Sequence, residues 1–293
     1  MQTLLLKKSC FALLMLVLVP LSAYAQRDPP VSTITLDSKL LGTPIEYSIL
    51  YPVNYQRPDY ADKRFPVLYL LHGLTGKHSN WIERSRLALY ATRYDLFVVM
   101  VEGKNAWYTD SATVPKDKFE SYILQELMPD VEKRFRVSTE RDGRAIGGLS
   151  MGGYGALKFG FKFPNRFALV ASMSGALGAA SWTDAELKNL DFIRQSLLTT
   201  FGPVGSATRA QNDLIKITRE ISDESIKALP AIYLDCGTED ILFSTNRGYA
   251  DLLVQRKIPH EFRELPGSHN WQYWDQQVQV ILSLAAQRLA PPK

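Results

Sequence analysis

The stretch that decides the fold runs Ala145-Ile146-Gly147-Gly148-Leu149-Ser150-Met151-Gly152-Gly153-Tyr154-Gly155-Ala156-Leu157-Lys158-Phe159. A short apolar run, Ala145 to Gly147, leads into the turn Gly148-Leu149-Ser150-Met151-Gly152, and a helix-compatible segment follows from Gly153. A serine on a sharp strand-to-helix turn, with glycines where a side chain would clash, lifts its hydroxyl clear of the sheet edge. Glycine and serine are common, so the five-residue pattern alone is weak. Its setting, strand before and helix after, makes Ser150 the candidate nucleophile.

The same alternation extends outward in both directions. Val67–Leu71 ends at His72-Gly73, Leu96–Val101 ends at Glu102-Gly103, Phe167–Met173 ends at Ser174-Gly175, and Ala231–Asp235 ends at Gly237. Near-continuous apolar runs of this length suit parallel strands buried on both faces. Between them apolar residues recur at helical spacing: Phe119, Ile123, Leu124, Leu127 and Val131, then Tyr249, Leu252 and Leu253, then Val278, Ile281, Leu282 and Ala285. Ile34 to Tyr51 reads as antiparallel edge strands. The prediction is an α/β fold with a mostly parallel central sheet and helices on both faces, its ligands bound beyond the carboxyl ends of the strands.

A serine hydroxyl needs a base to take its proton and a third group to orient that base. On this kind of sheet the order along the chain is Ser, then Asp or Glu, then His. Only His260 and His269 lie downstream of Ser150. His269, in the loop Gly267-Ser268-His269-Asn270-Trp271, is the candidate base; His260 lies within an apparent strand, Pro259 to Leu265. For the acid, Asp240 in the turn after Ala231–Asp235 leads over Asp235 (still in strand register), its neighbour Glu239, and Asp251 on a helix. The oxyanion donors are expected to be the backbone N–H of Met151 and that of Leu74, in the loop Leu71-His72-Gly73-Leu74-Thr75-Gly76. His72 is read as shaping that loop. Trp107 and Tyr108, after a strand end, are placed on the pocket wall. Residues 179–219, with Trp182, Phe192, Leu197, Leu198 and Phe201, form an insertion that either caps the pocket or packs on the sheet.

These segments resemble one family. LLHGLTGKHSNW (70–81), NAWYTD (105–110), GGLSMGGYGALKFGFKFPNRFALVASMSGAL (147–177), DCGTEDILF (235–243) and GSHNWQYW (267–274) are similar to the esterase D-like esterases. That group includes tributyrin esterases, S-formylglutathione hydrolases, feruloyl esterases and mycolyltransferases. The resemblance spans roughly residues 40–285, with the tributyrin esterase-like branch nearest. It implies an α/β-hydrolase fold, a Ser150-Asp240-His269 triad, and Leu74 and Met151 as oxyanion donors.

The remaining sequence bounds the context. Lys7 and Lys8 precede an apolar run to Val19, and Ala23-Tyr24-Ala25 supplies a cleavage site, so residues 1–25 read as a secretory signal cut after Ala25. Residues 26–293 are then one hydrolase domain, secreted or periplasmic, with no membrane span. An exported chain argues against the cytosolic thioesterase role. The formal net charge of +4 is small, and smaller still without Lys7 and Lys8, which gives no reason to expect nucleic acid as a partner. Beyond the signal only Cys236 remains, excluding an internal disulfide or a cysteine-pair metal site. The expected reaction needs no metal or cofactor. Its expected substrates are short-chain acyl esters or acetyl and feruloyl esters on carbohydrate. The alternatives are an acyltransferase with the same triad, a siderophore or lactone esterase, and a binding protein without catalysis.

Overall fold

Each apolar run singled out in the sequence is a strand in the computed structural model, which describes residues 31–293. The export signal expected over residues 1–25 lies outside them. The strands are β1 (Val31–Ser38), β2 (Thr43–Leu50), β3 (Val67–Leu71), β4 (Phe97–Val101), β5 (Arg144–Leu149), β6 (Leu169–Met173), β7 (Ala231–Gly237) and β8 (Glu261–Leu265). They form one sheet in the order β1-β2-β4-β3-β5-β6-β7-β8. From β4 to β8 all pairings are parallel, and β1 and β2 join antiparallel at one edge. This is the α/β-hydrolase arrangement, mostly parallel with helices on both faces.

The helices are α1 (Asn80–Arg84), α2 (Leu87–Ala91), α3 (Phe119–Tyr122), α4 (Met128–Arg134), α5 (Met151–Lys162), α6 (Asp191–Phe201), α7 (Ala207–Asn212), α8 (Leu214–Glu220), α9 (Asp223–Ala228), α10 (Phe243–Gln255) and α11 (Trp271–Arg288). The strand period of two divides the core between the faces. Tyr69, Leu71, Val99 and Ile146 pack on the side of α3, α4 and α5; Leu68, Leu70, Val98 and Ala145 pack on the side of α2 and α11. Each fully buried large apolar side chain in these layers contributes roughly 1.5–3 kcal/mol. Between α3 and α4 the helix widens into a π turn, Ile123–Leu127, which still buries Ile123, Leu124 and Leu127 as the spacing predicts. Among the described residues no helix is long and apolar enough to cross a membrane.

Leu197 and Phe201 on α6 are buried in the core, Phe201 against Trp107 and Tyr154. Trp182 and Phe192 instead border the cavity at the strand ends.

Candidate active site

Ser150 sits between β5 and α5 with φ 54° and ψ −116°, a backbone region that a residue with a Cβ visits only at a cost on the order of 1–3 kcal/mol. The surrounding chain holds it there. Its N–H donates to the Met173 carbonyl (2.9 Å), and its own carbonyl accepts from Ala176 N–H (3.0 Å) and Tyr154 N–H (3.1 Å). The flanking glycines are required by contact: a Cβ on Gly148 would lie 2.7 Å from the Gly152 carbonyl carbon, and one on Gly152 would lie 2.6 Å from the Leu71 carbonyl oxygen. The turn can form only where β5 and the start of α5 press against β3.

The loop between β8 and α11 brings His269 to the serine. Its Nε2 lies 3.0 Å from Ser150 Oγ, and its Nδ1 lies 2.9 and 3.0 Å from the two carboxylate oxygens of Asp240. Asn270 caps α11 by accepting the Tyr273 N–H (3.0 Å), and Trp274, one turn into α11, meets the His269 ring edge-on at 4.9 Å. Asp240 lies in the turn after β7, with Oδ1 accepting the Leu242 N–H at 2.7 Å. Burial pushes its carboxyl up, but the hydrogen bond from His269 and that from Leu242 outweigh it and hold the group below its ordinary value.

The competing acids lie elsewhere. Asp235 is fully buried and accepts the Tyr273 hydroxyl (2.8 Å); Glu239 and Asp251 are exposed. His260 precedes β8, its Nδ1 2.8 Å from the Ile258 carbonyl.

Across from Ser150 the 72–76 loop is braced by hydrogen bonds. His72, buried, donates from Nδ1 to the Gly73 carbonyl (2.7 Å) and accepts the Gly103 N–H at Nε2 (3.0 Å). The Thr75 N–H donates to Asn105 Oδ1 (2.7 Å) and the Gly76 N–H to the Gly73 carbonyl (3.0 Å). The N–H groups of Leu74 and Met151 form no hydrogen bond with another described residue. They are therefore free to serve a bound oxygen.

Trp107 and Tyr108 part company. Both have left-handed backbone (φ 52°). Trp107 borders the cavity, with Nε1 donating to Ser196 Oγ at 3.1 Å. Tyr108, expected on the pocket wall, is instead wholly buried beneath the 72–76 loop, where its hydroxyl donates to the His72 carbonyl (2.8 Å). The two consecutive positive-φ residues turn the second side chain inward, a reversal that strand or helix periodicity does not signal.

Two contributors escaped the sequence reading. Asn105 was visible only as part of NAWYTD. Lys158, wholly buried on α5, donates to the Tyr108 carbonyl and Thr109 Oγ1 (both 2.7 Å) and pairs with Glu120 (2.8 Å). Burial lowers its ammonium to about 8 against the opposing pull of Glu120. A lone lysine amid GYGALKFGF was the available signal for it.

The serine opens into a cavity of about 570 Å³. Trp107, Trp182, Phe192 and Ile193 are among its lining residues, as are Asn80, Arg84, Asn270 and Trp271.

The family model described as “Putative esterase” matches residues 38–284. An acetyl esterase of Caldicellulosiruptor saccharolyticus is 28% identical over 222 residues, 75% of this chain and 83% of that protein. Among solved structures, a ferulic acid esterase matches with a TM-score of 0.75 at 27% identity, over 89% of this chain and 99% of that one. The substrate-bound, fluorophosphonate-binding serine hydrolase F of Staphylococcus aureus matches with a TM-score of 0.76 over the same shares; at 24% identity its likeness speaks for the fold. With the family's model matched over nearly the whole described length, this chain belongs to the esterase family and is an ester hydrolase.

Proposed function

We propose that the chain hydrolyses carboxylic esters through an acyl-enzyme on Ser150, with His269 as general base and acid and Asp240 as its orienting partner. The observation that carries this reading is the continuous hydrogen-bonded line from Ser150 Oγ through His269 to Asp240, at 3.0 and 2.9 Å. Neutral His269 accepts the serine proton as Oγ attacks the ester carbonyl. The carbonyl oxygen gains charge and is met by the two unspent N–H groups, Leu74 and Met151. His269 then returns the proton to the departing alkoxide. Water, deprotonated by the same ring, attacks the acyl carbon and frees the acid and the serine. Asp240 stays ionised, keeps the Nδ1–H tautomer, and stabilises the imidazolium.

For substrate, the apolar border of the cavity and the similarity to an acetyl esterase and a ferulic acid esterase support short-chain acyl esters or acetyl and feruloyl esters on carbohydrate. Residues 1–25 support export, with cleavage after Ala25. A panel of p-nitrophenyl esters of rising chain length, with methyl ferulate and acetylated xylan, tests the substrate class. Hydrolysis confined to none of these would refute it. Adding a competing alcohol separates hydrolysis from acyl transfer: free acid as the main product supports hydrolysis, a new ester supports transfer.

A further inference from the structure

The direction of proton return divides the cavity. His269 Nε2 must reach the leaving oxygen, so the alcohol part of the ester lies on the His269 side and the acyl part lies away from it. One set of lining residues is apolar: Trp107 meets Trp182 at 6.2 Å edge to face, with Phe192 and Ile193 beside them in the segment after β6. The other set is joined to the histidine by a run of aromatic contacts. His269 touches Trp274 (4.9 Å), Trp274 touches Trp271 (5.5 Å), and the Arg84 guanidinium lies 5.2 Å over the Trp271 ring.

Charge on this second side is unbalanced. Glu83 is matched by Lys77 (3.1 Å) and Asp275 by Arg86 (3.1 Å). Arg84 forms no ion pair among the described residues: the two carboxylates that share an adjoining cleft with it, Glu83 and Asp275, are the ones held by Lys77 and Arg86, and no carboxylate lines the cavity at Ser150. Stacking on Trp271 leaves the edge of the planar guanidinium and its donors open to a ligand.

Resting on the ester-hydrolase reading, we propose that the alcohol side of this cavity recognises a leaving group that carries a carboxylate, and that Arg84 is the specificity-determining residue. The ester it suits best has an apolar acyl group on an anionic alcohol. Arg84 is exposed, so its pairing with a substrate carboxylate is worth a surface ion pair, about fivefold in kcat/KM.

The test compares phenyl butyrate with 4-carboxyphenyl butyrate at low ionic strength, in the wild type and in Arg84→Gln and Arg84→Lys. The expected result is that R84Q lowers kcat/KM about fivefold for the carboxylate ester and leaves the neutral ester within twofold. R84K keeps most of the rate on the carboxylate ester, and 0.5 M salt erases the difference between wild type and R84Q. Equal losses on both esters would overturn the proposal, because they would make Arg84 only a support for Trp271. A wild type that hydrolyses neither of these esters nor p-nitrophenyl acetate and methyl ferulate would remove the acyl-enzyme reading, and this proposal with it. O-butyryl esters of a uronic acid and of a hydroxy acid then distinguish a sugar acid from a small organic acid. An Arg84-dependent rate on either supports the proposal, and Arg84-independence on both overturns it.

Discussion

Replacing Asp240 with Asn tests the account through hydrogen-bond geometry alone. In the native turn Oδ1 is already committed to the Leu242 N–H at 2.7 Å, a donor that cannot face an amide NH₂. The Asn carbonyl therefore stays on Leu242, and the amide nitrogen takes the Oδ2 position, 2.9 Å from His269 Nδ1. Two donors cannot face each other there, so the ring gives up its Nδ1 proton and carries it on Nε2. That nitrogen then points an N–H at Ser150 Oγ and cannot accept the serine proton. The same tautomer reversal in serine proteases costs about 10⁴ in turnover, or ~5.5 kcal/mol of barrier. The assay is kcat on p-nitrophenyl butyrate at neutral pH, with unfolding monitored in parallel. Glu239→Gln, on an exposed neighbour, should stay within about twofold. A folded Asp240→Asn enzyme that loses less than about tenfold, or a severe loss in Asp235→Asn or Glu239→Gln, would refute the assignment of the acid.

Two further outcomes follow from groups around the site. Tyr108→Phe and Asn105→Ala each remove one brace of the 72–76 loop and should lower kcat about 10- to 100-fold with KM nearly unchanged, since the Leu74 N–H acts on charge that develops only in the transition state. Steady-state kinetics decide this, and a rise in KM at constant kcat would contradict it. Burial pushes the Asp235 carboxyl from its ordinary 3.8 up to about 7, with the Tyr273 hydroxyl opposing. The folded state thus favours the neutral form: this stabilisation is complete below pH 3.8 and is lost as pH rises to about 7. Asp235→Asn, permanently neutral, should therefore gain a few kcal/mol over the wild type between pH 4 and pH 8. Urea unfolding at both values measures it, and an unchanged difference would count against a neutral Asp235.

The parts of this molecule that were readable from sequence are those fixed by local pattern. The strands at Val67–Leu71, Phe97–Val101 and Ala231–Gly237 are buried on both faces, so they stand out as unbroken apolar runs. Ser150, Asp240 and His269 each follow or flank a strand end and stand along the chain in the order Ser, Asp, His, which makes them candidates from sequence. Long-range geometry was not readable. Tyr108 and Trp107 look alike in sequence, yet a pair of left-handed residues sends one under the loop and the other to the cavity. Trp182 and Phe192 border the cavity while Leu197 and Phe201 fill the core, and which does which depends on how α6 lies against Trp107. Arg84 gains meaning only because α11 sets Trp271 beneath it.

Intact-mass spectrometry of the enzyme shows whether an acyl group passes through Ser150. Treated with a fluorophosphonate, the wild type should gain one adduct, mapped by peptide sequencing to Ser150, and lose its esterase activity in proportion. Ser150→Ala should gain none and hydrolyse esters at least about 10³-fold more slowly. An enzyme that keeps hydrolysing esters with Ser150 unlabelled, or with alanine in its place, would contradict the account.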